Sequence, residues 1–197
     1  SSILHRGVNA IMEGAKLITW ATAQNAANRA QAPSAVAALF DPPWTSVHVG
    51  TIRGGTAHNI TARDCWFDLD FRVLPDEDPI AWREAYFARV AEVEAEMQAV
   101  RPEARIEIEE VFSIPPLRPE TDGAAEALAR RITGANSAGV VSYGTEAGHF
   151  QSAGYSVVVC GPGDIAQAHQ PDEFIEKSQF EAGHGFMRRM LDQLAEG

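Results

Sequence analysis

The stretch Cys65-Trp66-Phe67-Asp68-Leu69-Asp70-Phe71-Arg72-Val73 decides the fold. Apolar residues occupy every second position, and Trp66, two aspartates and Arg72 fill the positions between them. Because successive side chains of a strand point to opposite faces, the alternation predicts a strand with one buried face and one polar face. Strands of this kind are typical of antiparallel sheets that cover a core on one side.

Further elements are predicted on both sides of this strand. Apolar residues at helical spacing indicate an amphipathic helix over residues 7–29, and a second long helix follows Asp78-Pro79. Residues 45–52 predict another strand, and residues 104–112 alternate again. The order helix, strand, strand, helix, strand predicts an α+β domain with an antiparallel sheet and two helices.

The pattern changes after a stiff, proline-rich stretch at residues 113–121. A short helix follows it, and the chain closes on a longer helix. The apolar, β-branched runs at residues 139–143 and 155–160 are typical of strands buried on both faces in parallel α/β sheets. We therefore expect two domains, residues 1–113 and residues 114–197, of which the second is α/β and too small to be complete.

Composition excludes several kinds of partner. The 197 residues hold 16 Lys and Arg against 27 Asp and Glu, a net charge of -11, which argues against nucleic acid and anionic membranes as partners. No apolar stretch is long enough to span a bilayer. The two cysteines form no CxxC pair and are expected to be free, buried thiols in a reducing cytoplasm.

Two loops after predicted strands hold candidate binding residues. His169 lies in the loop after the second apolar run, and a neutral imidazole is a common metal ligand. Gly144, Thr145 and Glu146 follow the first run and offer a close backbone approach, a hydroxyl and a carboxylate. The plainer alternatives are a surface histidine and an ordinary turn with a capping threonine. One histidine by itself does not hold a catalytic zinc, which normally needs three protein ligands.

Two more candidates belong to the first part of the chain. Arg72, on the polar face of its strand, would bind a carboxylate through two N–H groups. The alternative is a salt bridge to Asp70 or Asp68. Asn59 follows the Gly54-Gly55 turn, where it is either a ligand-binding amide or a turn amide.

These segments together resemble the zinc-dependent amidohydrolase family of acetylornithine deacetylase, succinyl-diaminopimelate desuccinylase and the glutamate-releasing carboxypeptidases, and are most similar to the acetylornithine deacetylase branch. The matching pieces are SSILHRGVNAI at 1–11, GGTAHNIT at 54–61, DLDFRVLP at 68–75, SYGTEAGHF at 142–150 and CGPGDIAQAHQPDEFIE at 160–176. The resemblance implies that residues 1–113 are a lid that also forms a homodimer. It implies that residues 114–197 are the C-terminal part of a zinc-exopeptidase-like catalytic domain.

The same resemblance implies a site. It implies two zinc ions, with cobalt as an alternative metal, and His169 as the one metal ligand in this chain. The implied substrate-binding residues are Arg72, Asn59, Gly144, Thr145 and Glu146. The other metal ligands and the catalytic glutamate of the family stand in segments that have no match in this sequence, so the chain alone is expected to be inactive.

The expected reaction is metal-dependent hydrolysis of a small N-acyl amino acid in the cytoplasm. N-acetyl-L-ornithine, giving L-ornithine and acetate in arginine synthesis, is the first choice of substrate. One alternative is a desuccinylase or another N-acyl amino acid hydrolase or carboxypeptidase of the family. The other is a non-catalytic dimerisation fragment.

Overall fold

The structure is a computed structural model that describes residues 7–168 and 170–196. Contacts between residues divide the chain into two compact units, Ser1–Pro116 and Leu117–Gly197, with the division inside the proline-rich stretch. We call them unit 1 and unit 2. Their assignment to a lid and to part of a catalytic domain stays a prediction.

The described part of unit 1 contains two helices and two strands, α1 (Ala10–Ala30), β1 (Ser46–Gly54), β2 (Cys65–Arg72) and α2 (Pro79–Val100), with a short 3-10 helix at Ala37–Leu39. Each long helix begins at a residue that caps it. The Asn9 side chain accepts hydrogen bonds from the backbone N–H groups of Ile11 and Met12. Asp78 accepts one from the Ile80 N–H, with Pro79 as the first helical residue. The predicted α+β class is therefore confirmed.

The sheet is antiparallel and places the polar residues of β2 on one face. Val47 is opposite Phe71 and His48 is opposite Asp70, with an irregularity between Val49 and Thr51. On the other face, Phe67, Leu69 and Phe71 pack against the core.

The core consists of Leu17 from α1 and four residues from α2. These four are Tyr86, Val90, Val93 and Met97. The two helices therefore cover one face of the sheet and leave the other open.

Residues 104–112 are not a strand, which corrects the prediction. Ala104 and Ile106 do pack against the core, as the alternation indicated. Their backbone, however, bonds to side chains of α2: Glu94 Oε1 accepts from the Ile106 N–H at 2.8 Å, and Gln98 Nε2 donates to the Ala104 carbonyl at 3.1 Å. No described strand lies beside this segment, and a ladder needs one.

Among the described residues, unit 2 contains three helices, α3 (Ala124–Thr133), α4 (Ala147–Ser152) and α5 (Lys177–Glu196), and a 3-10 helix at Ile165–Gln167. Residues 139–143 and 155–160 are not strands, so the described part of unit 2 holds no α/β sheet. The physical reason is the same, since neither run has a described strand beside it. Tyr155 and Val159 are correspondingly exposed. Cys160, at the end of the second run, is exposed and Cys65 is half-buried, so both thiols are free but the prediction that they are buried is wrong.

Side-chain amides of α1 bond the backbone of β1. Asn25 Oδ1 accepts from the Val47 N–H at 2.8 Å, and Asn25 Nδ2 donates to the Val47 carbonyl at 2.7 Å. Asn28 Nδ2 donates to the Thr45 carbonyl at 2.7 Å. Both polar groups of Val47 are thus satisfied on the edge of β1 that faces away from β2. Asn25 takes the place that a neighbouring strand would fill.

Replacing this amide is therefore expected to destabilise unit 1. Asn25→Leu leaves the Val47 N–H and carbonyl without their partner and should lower the free energy of unfolding by about 1–3 kcal/mol. Gln24→Leu, at the neighbouring position of α1, is the control and should change it by less than about 0.5 kcal/mol. Urea unfolding followed by tryptophan fluorescence measures unit 1 alone, because all four tryptophans lie in it. Equal effects of the two variants would contradict the role of Asn25.

Candidate functional site

Arg72 lies at the end of β2 on the open face of the sheet. Its Nε donates to Asp70 Oδ2 at 2.7 Å, so the salt bridge considered from the sequence is formed. The Arg72 side chain is nevertheless 60% exposed. A ligand carboxylate could therefore still reach the guanidinium, with Asp70 holding it in place.

The open face of the sheet carries further polar contacts around Arg72. Asp68 accepts a hydrogen bond from the Thr51 hydroxyl on the neighbouring strand. At the far end, the Arg53 guanidinium stacks over the Trp66 ring, 5.5 Å from its centroid. Because charged groups of both signs lie along this face, it suits a polar ligand better than an apolar one.

Asn59 lies in the loop between the two strands and is exposed. The loop begins at Gly55, whose φ of 71° is one that glycine adopts readily, and a turn follows in which the Ile60 N–H donates to the Ala57 carbonyl. Asn59 and Arg72 thus belong to the same unit. Within the described residues no hydrogen bond joins them.

Gly144, Thr145 and Glu146 form the loop that leads into α4. Thr145 Oγ1 accepts from the Ala147 N–H at 3.2 Å, and the Glu146 carbonyl accepts from the His149 N–H at 3.0 Å. The turn with a capping threonine, which is the plainer alternative, is therefore present. The Glu146 side chain is exposed and available to a ligand.

His169 lies outside the described residues. The loop before it is built from local bonds: Asp164 Oδ1 accepts from the Ala166 N–H at 2.8 Å at the start of the 3-10 helix, and Gly163 has a φ of 94°. Gln167 Oε1 is buried and has no hydrogen-bond donor among the described residues. Local bonds therefore shape the start of this loop.

The described residues do not form a metal cage. No group of three or more His, Cys, Asp or Glu side chains within residues 7–168 and 170–196 is placed to hold an ion. The described residues therefore do not fit the two-metal centre by themselves. Nor is any described helix long and apolar enough to cross a membrane.

Sequence reasoning missed a polar network around Glu120. Its carboxylate accepts hydrogen bonds from the Ser156 hydroxyl, from the Val157 N–H at 2.9 Å and from Gln151 Nε2 at 3.2 Å. These bonds, that from Ser156 foremost, hold the pKa of Glu120 below its ordinary value. The partners are more than 30 positions away along the chain, so no local pattern marks the residue.

About half of the chain matches a known domain family. Residues 1–98 match the family described as the peptidase dimerisation domain. The chain belongs to this family, which confirms the resemblance drawn from the sequence motifs.

Three relatives illustrate the similarity. The chain is 32% identical to an acetylornithine deacetylase of Myxococcus xanthus over 69% of its length, and 31% identical to one of Proteus mirabilis over 78%. It is 34% identical to an N-acetyl-L-citrulline deacetylase of Xanthomonas campestris over 68% of its length. The aligned part covers only 34%, 38% and 35% of these relatives, so the chain spans little more than a third of their length.

The Glu120 network makes the stability of unit 2 depend on pH. The pKa of Glu120 is lower in the folded chain than in the unfolded chain, so the ionised carboxylate stabilises the fold. This stabilisation is complete at a pH above the ordinary glutamate pKa and is lost as the pH falls through the pKa of Glu120 in the folded chain. Thermal unfolding of unit 2, followed by amide signals in NMR spectra, should therefore show a steeper loss of stability on acidification in the wild type than in Glu120→Gln.

The matched control is Glu181→Gln, on the exposed surface of α5. This variant should lose as much stability between neutral and acidic pH as the wild type does. If Glu120→Gln also loses as much stability on acidification as the wild type, the hydrogen bonds of Glu120 do not stabilise unit 2 in the way their geometry indicates.

Proposed function

We propose that this chain is part of a metal-dependent hydrolase that cleaves the amide of N-acetyl-L-ornithine to give L-ornithine and acetate. One observation carries the proposal. The alignments with deacetylases run over 136 and 154 residues, whereas the dimerisation family covers residues 1–98. The similarity thus continues beyond the dimerisation domain into unit 2, where a general likeness of dimerisation domains has no reason to extend.

In this proposal unit 1 joins two copies of the protein into a homodimer. The description of the family that matches residues 1–98 supports this assembly. The helices α1 and α2 cover one face of the sheet, so the open face with Arg72 remains available to the substrate. The protein would act in the cytoplasm, in keeping with its acidic composition and its two free cysteines.

The residues of the chain would bind and orient the substrate. Arg72, held by Asp70, would bind the α-carboxylate with charge-assisted hydrogen bonds, and Asn59 would add an amide contact. Gly144 and Thr145, in unit 2, are proposed as further substrate contacts. Such fixed contacts place the scissile amide for attack and so lower the entropic part of the barrier.

Glu146 would bind the side chain of the substrate. Ornithine ends in an ammonium group, and an exposed carboxylate is a suitable partner for it. The similarity to an N-acetyl-L-citrulline deacetylase favours a second candidate substrate, whose side chain ends in a neutral urea group. Glu146 is thus the residue at which these two substrates would be told apart.

His169 is proposed as a metal ligand, with zinc as the ion and cobalt as an alternative. Such an ion supplies an activated water at neutral pH when it is bound. The described residues that are proposed above as substrate contacts would bind and orient the substrate. The remaining alternatives are a desuccinylase or carboxypeptidase of the same family and a non-catalytic dimerisation fragment.

A substrate panel tests the proposal. The product of the complete reading frame that encodes this chain should hydrolyse N-acetyl-L-ornithine faster than N-acetyl-L-citrulline or N-succinyl-diaminopimelate when zinc or cobalt is supplied. The 197-residue chain on its own should hydrolyse none of them, since the segments that hold the other metal ligands and the catalytic glutamate of the family have no match in it. Preferred turnover of the succinyl substrate would overturn the choice of substrate. Inactivity of the complete product on all three would favour the non-catalytic fragment.

Glu146→Gln tests how the substrate side chain is read. Loss of the carboxylate should lower kcat/KM for N-acetyl-L-ornithine about tenfold, because a hydrogen bond to a charged group is lost, and should change kcat/KM for N-acetyl-L-citrulline little. Glu181→Gln, an exposed glutamate of unit 2 outside the proposed contacts, is the control. Equal losses for both substrates would show that Glu146 does not distinguish the side chains.

A further inference from the structure

Gln151 forms a two-way clamp on the first residues of unit 2. Its Nε2 donates to the Arg118 carbonyl at 2.8 Å, and its Oε1 accepts from the Arg118 N–H at 2.9 Å. The same Nε2 donates to Glu120 Oε1 at 3.2 Å. Since Gln151 lies in the last turn of α4, a single side chain ties the segment after the prolines to this helix.

Glu120 extends the clamp to the segment after α4. Its carboxylate accepts from the Ser156 hydroxyl and from the Val157 N–H. The Ser156 oxygen in turn accepts from the Ala125 N–H, in the first turn of α3, at 3.0 Å. The clamp therefore holds α4 from its C-terminal side through several hydrogen bonds at once.

The other end of α4 carries the loop of Gly144, Thr145 and Glu146. The loop is bonded to the helix by the Thr145 hydroxyl, which accepts from the Ala147 N–H, and by the Glu146 carbonyl, which accepts from the His149 N–H. With six residues, α4 is only about 9 Å long. A helix this short holds its shape poorly alone, so the clamp at one end influences the loop at the other.

We propose that Gln151, together with Glu120, is a positioning residue for the 144–146 loop and so for the substrate contacts of Thr145 and Glu146. The identity of these contacts rests on the proposed function. The coupling between the clamp and the loop rests only on the hydrogen bonds within unit 2.

Amide hydrogen exchange of the 197-residue chain tests the coupling. In Gln151→Leu the Ala147 amide, at the far end of α4, should exchange about five- to tenfold faster, because the bonds that hold the helix are lost. The Gly134 amide, which donates to the Arg130 carbonyl at the end of α3, should keep its rate. Gln179→Leu, an exposed glutamine of α5, is the matched control and should leave both rates unchanged.

Two patterns of exchange would contradict the coupling. If Ala147 and Gly134 accelerate by the same factor, the side chain only stabilises unit 2 as a whole, and the proposal fails. It also fails if Arg118 alone is affected. Should Gln151→Leu not fold, Gln151→Glu keeps the shape of the side chain, sets a second carboxylate against Glu120 and is judged by the same rates.

Enzyme kinetics of the complete gene product show whether Gln151 positions the substrate contacts or only stabilises unit 2. Gln151→Leu should raise KM for the acetylated substrate about fivefold and leave kcat within about twofold, because it disturbs binding contacts and not the reacting bond. The Gln179→Leu enzyme should match the wild type. Faster exchange at Ala147 with an unchanged KM would overturn the positioning role. If the complete product hydrolyses no substrate, the proposed function fails, and the exchange rates still decide the coupling.

Discussion

The structure depends on one constraint, which is that extended backbone must find hydrogen-bond partners where no neighbouring strand supplies them. Only β1 and β2 form a ladder among the described residues. In two places a side chain from a helix supplies the missing partner: Asn25 of α1 bonds both polar groups of Val47, and Gln151 of α4 bonds both polar groups of Arg118. These amides fix the two segments against the helices, and at the buried Val47 they also avoid the cost of unpaired backbone groups.

The elements predictable from the sequence are those determined by near neighbours. The alternation of residues 65–73 reports which side chains face the core, and the strand that pairs there confirms it. Both long helices begin where a capping side chain is encoded, at Asn9 and Asp78. The failed strand at 104–112 shows the limit of this reasoning. Alternation predicts burial, and Ile106 is indeed packed against the core, but pairing requires a second strand that the pattern cannot encode.

In the candidate site, too, contacts between near neighbours were predictable and contacts between distant residues were not. The sequence leaves two roles open for Arg72 and for Thr145, and in each case the local partner is present: Asp70 for the guanidinium and the Ala147 N–H for the hydroxyl. These bonds do not compete with ligand binding, because a guanidinium has five donors and a hydroxyl both donates and accepts. The residues around Glu120 were not predictable, since their partners are far away in sequence and meet only when unit 2 folds.

The type of each bonding side chain follows from the backbone groups that it meets. Val47 and Arg118 each present an N–H and a carbonyl, and an amide, which both donates and accepts, satisfies the two together. Ile106 and Val157 each present an N–H to their partner, and an acceptor-only carboxylate bonds it, from Glu94 and from Glu120. Replacing an amide by a carboxylate at such a position would set an acceptor against the backbone carbonyl, whereas replacing a carboxylate by an amide exchanges a charged acceptor for a neutral one. Three of these four side chains, from Asn25, Glu94 and Gln151, belong to helices, and each matches the donors and acceptors of the backbone beside it.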